Sequence, residues 1–391
     1  MRDGFWIIDA DRHVTEPMDL WQAYLPPAFR ARAPTLELPP STEPLGARIA
    51  RLGPRGLVPP APVLMLEGQP VMRGISERAE IALSLARQRR PGHMEAGASP
   101  AAQLAAMDAS GIDVALLFPT FAMYLLGIDG LDPALAGALA RAYNDWLRDF
   151  CAPDPERLRG VGVVNLHAPG QMVEELRRVV ACGWSAVVLR PNPVHGRRLS
   201  DPAYEPFWAA CAELQVGVAI HEGTHARLPT AGADRFESRF ALHACSHPME
   251  QMMALLALIE GGVLERHPTL RVGFLEAGCG WLPSWLHRLD VVEYENLAGE
   301  VEEHVKMQPS AYFRRQCFAS ADPTEPLLAE TLRHLGEGHL LFGTDFPHVD
   351  HDTDGVGKML ALREVLGRDA LAKVLSGNAA RLFGLHVPPG K

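Results

Sequence analysis

The sequence predicts an α/β fold, namely a (β/α)8 TIM barrel with a long proline-rich insertion after its first strand. The first observation is that eight short apolar runs alternate with amphipathic helical patterns, which is typical of parallel strands joined by helical crossovers. The second is that carboxylate and imidazole side chains follow both the first and the last run, at opposite ends of the chain. Because only a closed sheet makes its first and last strands neighbours, the pattern favours a barrel over an open sheet.

The individual elements follow from the apolar runs and the helical periodicity. The predicted strands are residues 5–9, 112–118, 158–165, 186–189, 216–220, 270–275, 316–319 and 339–342. The predicted helices are residues 133–151, 170–182, 202–214, 248–260, 281–294, 323–335 and 356–366. We expect one domain, 1–391, whose helical tail at about 367–391 is broken at Gly377-Asn378.

The segment at about 18–99 interrupts the alternation and contains three Pro-Pro pairs. Because a long insertion after a barrel strand lies on the catalytic face, we expect it to form a lid or a subunit contact. A loosely ordered surface loop is the alternative.

Composition narrows the function. With 391 residues, 47% of them hydrophobic, the chain can bury a large core. Its net charge of -10 argues against a nucleic-acid partner, although a local metal ion or arginine can still attract a small anionic substrate. Six cysteines occur without a C-x-x-C motif, no apolar run reaches about 18 residues, and we expect no secretory signal, because the first strand begins within a few residues of Met1. We therefore expect a cytoplasmic protein with no membrane span.

Four residues at strand ends are candidate metal ligands. Asp11 and His13 form a D-x-H pair after the first apolar run, and Asp9 shares their parity, so all three are expected on one face of the strand. His221 directly follows the fifth strand, and Asp345 follows the eighth. Imidazole and carboxylate groups are ligands of catalytic divalent metals, and Asp345 could also act as a base. The alternatives are a surface turn for Asp11 and His13, a capping or core role for His221, and a turn position for Asp345.

Other polar residues beside the strand ends are candidates for catalysis or substrate binding. Glu276 ends the sixth strand before a glycine-rich turn and could act as a general acid or base, or else cap the helix at Trp281. His247, expected at the start of a helix, could supply an imidazole. Arg190 could bind a carboxylate with two hydrogen bonds, or form a surface salt bridge. Two further histidines are candidates from the loops, His348 as a substrate contact and His225 as a weaker ligand.

The segments IIDADRHVTEP, VGVAIHEG, GGVLERHPTLRVGFLEAGCGWLP and LLFGTDFPH carry a resemblance to a known family. In order and spacing they resemble the amidohydrolase superfamily, in particular the branch that contains aminocarboxymuconate-semialdehyde decarboxylase and γ-resorcylate decarboxylase. The resemblance implies a barrel with one divalent metal, usually zinc or manganese, and commonly a dimer. The implied ligands are Asp11, His13, His221 and Asp345. The chain departs from the family at Glu276, where a catalytic histidine is usual.

Three functions remain open at this point. The favoured one is a metal-dependent carboxy-lyase acting on a small aromatic or enoic acid, with Asp345 assisting and Glu276 or His247 protonating the carbon that loses CO₂. The alternative is a hydrolase of a small amide, ester or lactone that uses metal-activated water. The third is a non-catalytic binding subunit, which would have no need for the four ligands together. We expect one ion per chain, Zn²⁺ ahead of Mn or Fe, and a homodimer.

Overall fold

The computed structural model describes residues 1–39, 43–89, 93–223, 226–348 and 352–388. His225 therefore lies outside the described residues. Eight parallel strands form the centre of the described structure, and the third is divided into two short parts. The strands are β1 Ile8–His13, β2 Val114–Phe118, β3 Leu158–Gly160 with Gly162–Val163, β4 Ala186–Leu189, β5 Gly217–Ile220, β6 Arg271–Phe274, β7 Cys317–Ala321 and β8 Leu340–Phe342. They match the eight predicted strands within a few residues.

The first and last strands close the barrel. The amides of Thr344 and Asp345, just after β8, donate to the carbonyl oxygen of Asp11 at 3.1 and 2.8 Å. The amide of His13 donates to the carbonyl oxygen of Phe346 at 2.7 Å. The two ends of the chain therefore meet, as the sequence predicted.

Strand β1 differs from its prediction, which ended at Asp9. It runs on to His13, and all six of its residues are buried. The apolar run stops at Asp9 because, after the buried Ala10, the strand continues with Asp11, Arg12 and His13, whose side chains are buried against polar partners. The sequence pattern alone could not distinguish this from the end of a strand.

Helices lie between the strands. In chain order they are α1 Asp19–Tyr24, α2 Leu45–Leu52, α3 Glu77–Gln88, α4 His93–Gly97, α5 Pro100–Ser110, α6 Phe121–Leu125, α7 Pro133–Cys151, α8 Pro169–Ala181, α9 Glu205–Glu213, α10 Arg239–Glu260, α11 Val263–Arg266, α12 Leu282–His287, α13 Glu295–Val301, α14 Pro309–Gln316, α15 Leu328–Leu335, α16 Gly355–Ala361, α17 Arg363–Leu366, α18 Arg368–Ala372 and α19 Asn378–Phe383. Short 3₁₀ segments are Pro27–Arg32, Gly53–Leu57 and Pro202–Tyr204, and π-helical turns are Arg288–Tyr294 and Lys373–Gly377.

Two helix predictions are wrong in ways that affect the interpretation. Helix α10 begins at Arg239, capped by the hydroxyl of Ser238, and Pro248 lies inside it. His247 is therefore in the middle of a helix and not at its start. In the tail, the expected break at Gly377-Asn378 is absent, because both residues have helical backbone angles and the π-helical turn leads directly into α19.

The segment between β1 and α5 has defined structure where it is described. It includes α1 to α4 and a small antiparallel sheet formed by Thr35–Glu37, Val63–Leu66 and Gln69–Pro70. Arg73 donates to the carbonyl oxygens of Ala226 and Leu228 in the loop after β5. The amide of Thr15 donates to Gly97 at the end of α4. These contacts place the segment against the C-terminal ends of the barrel strands, where catalytic residues of such barrels lie.

Candidate metal centre

The C-terminal ends of β1, β5 and β8 bring the four predicted ligands together. Asp11, His13 and His221 are buried, and their ligand atoms lie within 4.8 Å of one another. His13 Nε2 is 3.4 Å from Asp11 Oδ1, 3.3 Å from His221 Nε2 and 3.3 Å from Asp345 Oδ1. The alternative of a surface turn for Asp11 and His13 is wrong, because both side chains are enclosed at the end of a barrel strand.

Hydrogen bonds fix the orientation of the two imidazole rings. Nδ1 of His13 donates to the carbonyl oxygen of Pro119 at 2.9 Å, and Nδ1 of His221 donates to that of Glu222 at 2.8 Å. A carbonyl can only accept, so the hydrogen of each neutral ring is on Nδ1 and the Nε2 lone pair is free. Two such lone pairs facing each other at 3.3 Å need a cation between them. The donor set therefore fits a divalent metal ion.

The charges around His221 also favour a cation. Burial alone would lower the pKa of His221, but Asp11 and, less strongly, Glu276 and Asp345 raise it to about 10. Burial would raise the pKa of Asp11, yet His221 and His13 hold it well below its usual range. Without metal, a proton on His221 thus takes the place of the ion, and metal binding releases that proton.

Asp345 connects the centre to His348. Its backbone has a left-handed φ of +53°, which is uncommon outside glycine and typical of a functional position. Its Oδ1 is 2.7 Å from Nδ1 of His348, whose Nε2 is 3.1 Å from the hydroxyl of Thr120. His13, Asp345 and His348 form a second group of potential ligand atoms within 4.8 Å. His348 thus lies beside the candidate metal centre, and its role as a substrate contact stays a prediction.

Asp9 does not share a face with Asp11 and His13, so that prediction is wrong. The pairing of β1 with β2 shifts register between Asp9 and Arg12, which breaks the alternation of side chains. The Asp9 carboxylate instead accepts hydrogen bonds from the amide and the hydroxyl of Thr344 at 2.9 and 2.6 Å. It thereby connects β1 to the residue before Asp345.

Sequence reasoning missed the buried residues that support this strand. Arg12 is 1% exposed, donates to Gln103 at 2.6 Å and lies over the ring of Phe346 at 4.0 Å. Gln103 in turn donates to the carbonyl oxygen of His13 at 2.8 Å. A charged residue between two ligands in an enclosed strand was the available signal, because arginine is rarely buried without partners.

Glu276 and His247 form a pair beside the predicted metal ligand His221. Glu276 Oε2 is 3.3 Å from His247 Nε2 and 3.5 Å from His221 Nδ1. Burial alone would lower the pKa of His247, but the Glu276 carboxylate raises it above its ordinary value. In the turn towards α12, the amides of Cys279 and Gly280 donate to the carboxylate of Glu325.

Arg190 is buried, so the alternative of a surface salt bridge is wrong. It is 4% exposed and follows β4. Its Nη2 donates to both carboxylate oxygens of Glu222, at 3.2 and 3.3 Å, and to the carbonyl oxygen of Gly223 at 2.8 Å. The guanidinium therefore already has a buried carboxylate partner.

A buried set of imidazole and carboxylate donors at the C-terminal end of a closed (β/α)8 barrel defines the class of metal-dependent barrel enzymes. Comparison with known proteins gives the family: the amidohydrolase model matches residues 8–385, and the chain belongs to this family. The predicted superfamily, its decarboxylase branch and the assignment as an enzyme are confirmed.

The relatives include proteins named as decarboxylases. The chain is 26% identical to 2-amino-3-carboxymuconate-6-semialdehyde decarboxylase of Dictyostelium discoideum, over 63% of this chain and 67% of the relative. It is 28% identical to γ-resorcylate decarboxylase of Rhodococcus jostii, over 63% and 77%. A solved 5-carboxyvanillate decarboxylase of Novosphingobium aromaticivorans, complexed with manganese and 4-hydroxy-3-methoxy-5-nitrobenzoic acid, is 20% identical and covers 98% of this chain and 97% of its own, with a TM-score of 0.69.

In the described ranges, no helix is long and apolar enough to cross a membrane.

Proposed function

We propose that this protein is a metal-dependent carboxy-lyase that removes CO₂ from a small aromatic or enoic acid. The observation that carries the proposal is the Glu276–His247 pair, whose carboxylate lies 3.5 Å from the imidazole of the metal ligand His221. Non-oxidative decarboxylation needs a proton for the carbon that loses CO₂. A buried imidazole with a raised pKa next to the metal centre can supply it.

Asp11, His13, His221 and Asp345 would hold the ion. A divalent ion there supplies positive charge for the substrate's carboxylate and an adjacent oxygen. We infer Zn²⁺ as the metal, with Mn²⁺ or Fe²⁺ as the alternatives, because histidine and carboxylate ligands suit all three.

The proton transfer is assigned to the pair. His247, held by Glu276, gives its proton to the substrate carbon that carries the carboxylate. The C–C bond then breaks, its electron pair returns to the substrate, and CO₂ leaves. Glu276 stabilises the charged imidazole before the transfer, and Asp345 fixes His348, which we assign as a substrate contact together with Arg190.

The wider setting is also part of the proposal. The segment 18–99 is proposed as a cover over the active site, because Arg73 and Gly97 bond to the loops at the strand ends. We infer a homodimer, with this segment as the contact. Six unpaired cysteines, four of them buried, support a reducing compartment such as the cytoplasm.

The test is turnover in deuterated water by the metal-loaded protein, with a panel of carboxyl-¹³C-labelled aromatic and enoic acids. We expect labelled CO₂ and one deuterium on the carbon that carried the carboxylate. Glu276→Gln should lower the rate at least about 100-fold, since general acid catalysis contributes about that much, without loss of metal. The half-exposed Glu260 on α10 offers the control Glu260→Gln, which should keep the rate. Oxygen from labelled water in the product, without CO₂, would favour the hydrolase instead.

A further inference from the structure

Arg190 has hydrogen-bond donors that the described residues do not satisfy. Its Nη2 is fully used by Glu222 and Gly223, but Nε and Nη1 have no acceptor among the described residues, although both are buried. A buried donor without an acceptor is costly, so such a group calls for a partner that the described residues do not supply.

A small cavity lies against Arg190. It measures about 20 Å³ and is lined by Arg190, Met123 and Leu126 from the region of α6, Val163 of β3 and Val188 of β4. A space of roughly this volume holds about one water molecule. Apart from the guanidinium, these walls are apolar, so Arg190 is the group that would orient a polar atom there.

The cavity lies beside β4, the strand that pairs with the one leading to the predicted ligand His221. The amide of His221 donates to the carbonyl oxygen of Leu189 at 2.9 Å, so Arg190 and the ligand His221 extend side by side from neighbouring strands. Gly223 contributes to the approach, because a Cβ at this position would lie 2.7 Å from Nη1 of Arg190. A substrate bound at the metal can therefore extend one substituent towards Arg190.

The charge balance selects the kind of substituent. Glu222 is 0% exposed and lies 3.2 Å from Arg190, so the two charges neutralise each other inside the protein. Asn192, which donates to Glu222 at 3.1 Å, is neutral. A second carboxylate placed here would be desolvated without a free cation to compensate, whereas a neutral oxygen needs only a hydrogen-bond donor.

We propose that this cavity is a specificity subsite for a neutral oxygen substituent of the substrate, such as a hydroxyl, carbonyl or small ether, which accepts hydrogen bonds from Arg190. The subsite rests on the proposed function, because it assumes that an organic acid binds at the metal. It corrects the expectation that Arg190 binds a carboxylate.

The test uses two neighbouring valines of β4. Val188 lines the cavity and Val187, which is also buried, does not, so Val188→Ile fills the space and Val187→Ile is the matched control. The ligands are benzoate and its ring-hydroxylated and methoxylated derivatives. Binding to the metal-loaded protein is measured by calorimetry, and CO₂ release is measured separately.

We expect Val188→Ile to weaken binding of the best oxygen-substituted acid about tenfold or more relative to benzoate, which is the range for one misfitting methylene, and Val187→Ile to leave the ratio unchanged. Val163→Ile, which fills the cavity from β3, should have the same effect as Val188→Ile. It provides an independent test if one of the two variants fails to fold. An unchanged ratio in both cavity variants would overturn the subsite, as would a complex in which the cavity holds only water. Discrimination in binding without CO₂ release would instead reject the proposed function and leave the subsite standing.

Discussion

Glu276 and Asp345, the acidic residues that follow β6 and β8, both have a left-handed backbone, with φ of +55° and +53°. For residues other than glycine this conformation costs on the order of 1 kcal/mol and persists where the surroundings enforce it. It turns each carboxylate towards the metal centre. The sequence indicated both residues through their position after an apolar run, but it could not indicate this backbone conformation.

At the residue scale, Glu250 of α10 gives a prediction for pH dependence. Burial, with a further contribution from Glu222, raises its pKa from 4.5 to about 7, although a backbone hydrogen bond from Ala231 opposes the shift. The folded protein therefore keeps a proton on Glu250 that the unfolded chain loses above about pH 4.5. Stability falls as the pH rises through that window and is constant above pH 7 as far as this group is concerned.

Glu250→Gln removes this titration while keeping an acceptor for Ala231. We expect the variant to exceed the wild type in free energy of unfolding by up to about 3 kcal/mol near pH 8, and by much less near pH 5. Denaturation of the metal-loaded protein at both pH values measures the difference. The half-exposed Glu260 supplies the control Glu260→Gln, which should show no such trend. An equal difference at both pH values would contradict the assigned pKa.

At the element scale, the turn after β6 depends on a residue that comes much later in the chain. The carboxylate of Glu325 accepts the amides of Cys279 and Gly280, each at 2.9 Å, and that of Asp322 at 3.1 Å. These bonds hold the loop that begins at Glu276. Glu325 is thus expected to position the proposed proton-donating pair, although it does not contact the candidate metal centre.

Glu325→Gln should loosen this loop, since an amide cannot accept as many N–H groups as a carboxylate. We expect kcat to fall about tenfold and the free energy of unfolding to fall by about 1–2 kcal/mol. Metal content and KM should not change. Glu330→Gln, at an exposed position on α15, is the control. Loss of stability with an unchanged kcat would show that Glu325 is structural only, and Glu325→Asp should restore part of the rate if the carboxylate matters.

How much of each element could be predicted depended on where its side chains point. The buried parallel strands were found because both of their faces are apolar, which makes them read as continuous hydrophobic runs. The extension of β1 to His13 was missed, because its buried polar side chains have partners that are distant in sequence: Arg12 donates to Gln103, and His13 donates to the carbonyl oxygen of Pro119. The start of α10 was missed because Pro248 suggested a boundary.

At the scale of the whole molecule, the closure of the barrel and the assembly of the site are one event. The backbone hydrogen bonds that join β1 to the residues after β8 involve Asp11, His13 and Asp345, which are three of the four proposed ligands. The sequence predicted the four ligands because each follows a strand, and a barrel collects such positions at one end. It could not predict the Glu276–His247 contact or the Arg190–Glu222 pair, since both depend on side-chain directions set by the fold.

The measurement that tests the account most directly is the metal content of the protein purified without added metal, determined by inductively coupled plasma mass spectrometry together with CO₂ release. We predict about one divalent ion per chain in the wild type and in His247→Asn, and a loss of most of it in His221→Asn. His247→Asn should nevertheless lose turnover, because it removes the proton donor and leaves the ligands in place. A wild type that binds no metal even after reconstitution, or a His221→Asn variant that binds it fully, would contradict the proposed centre.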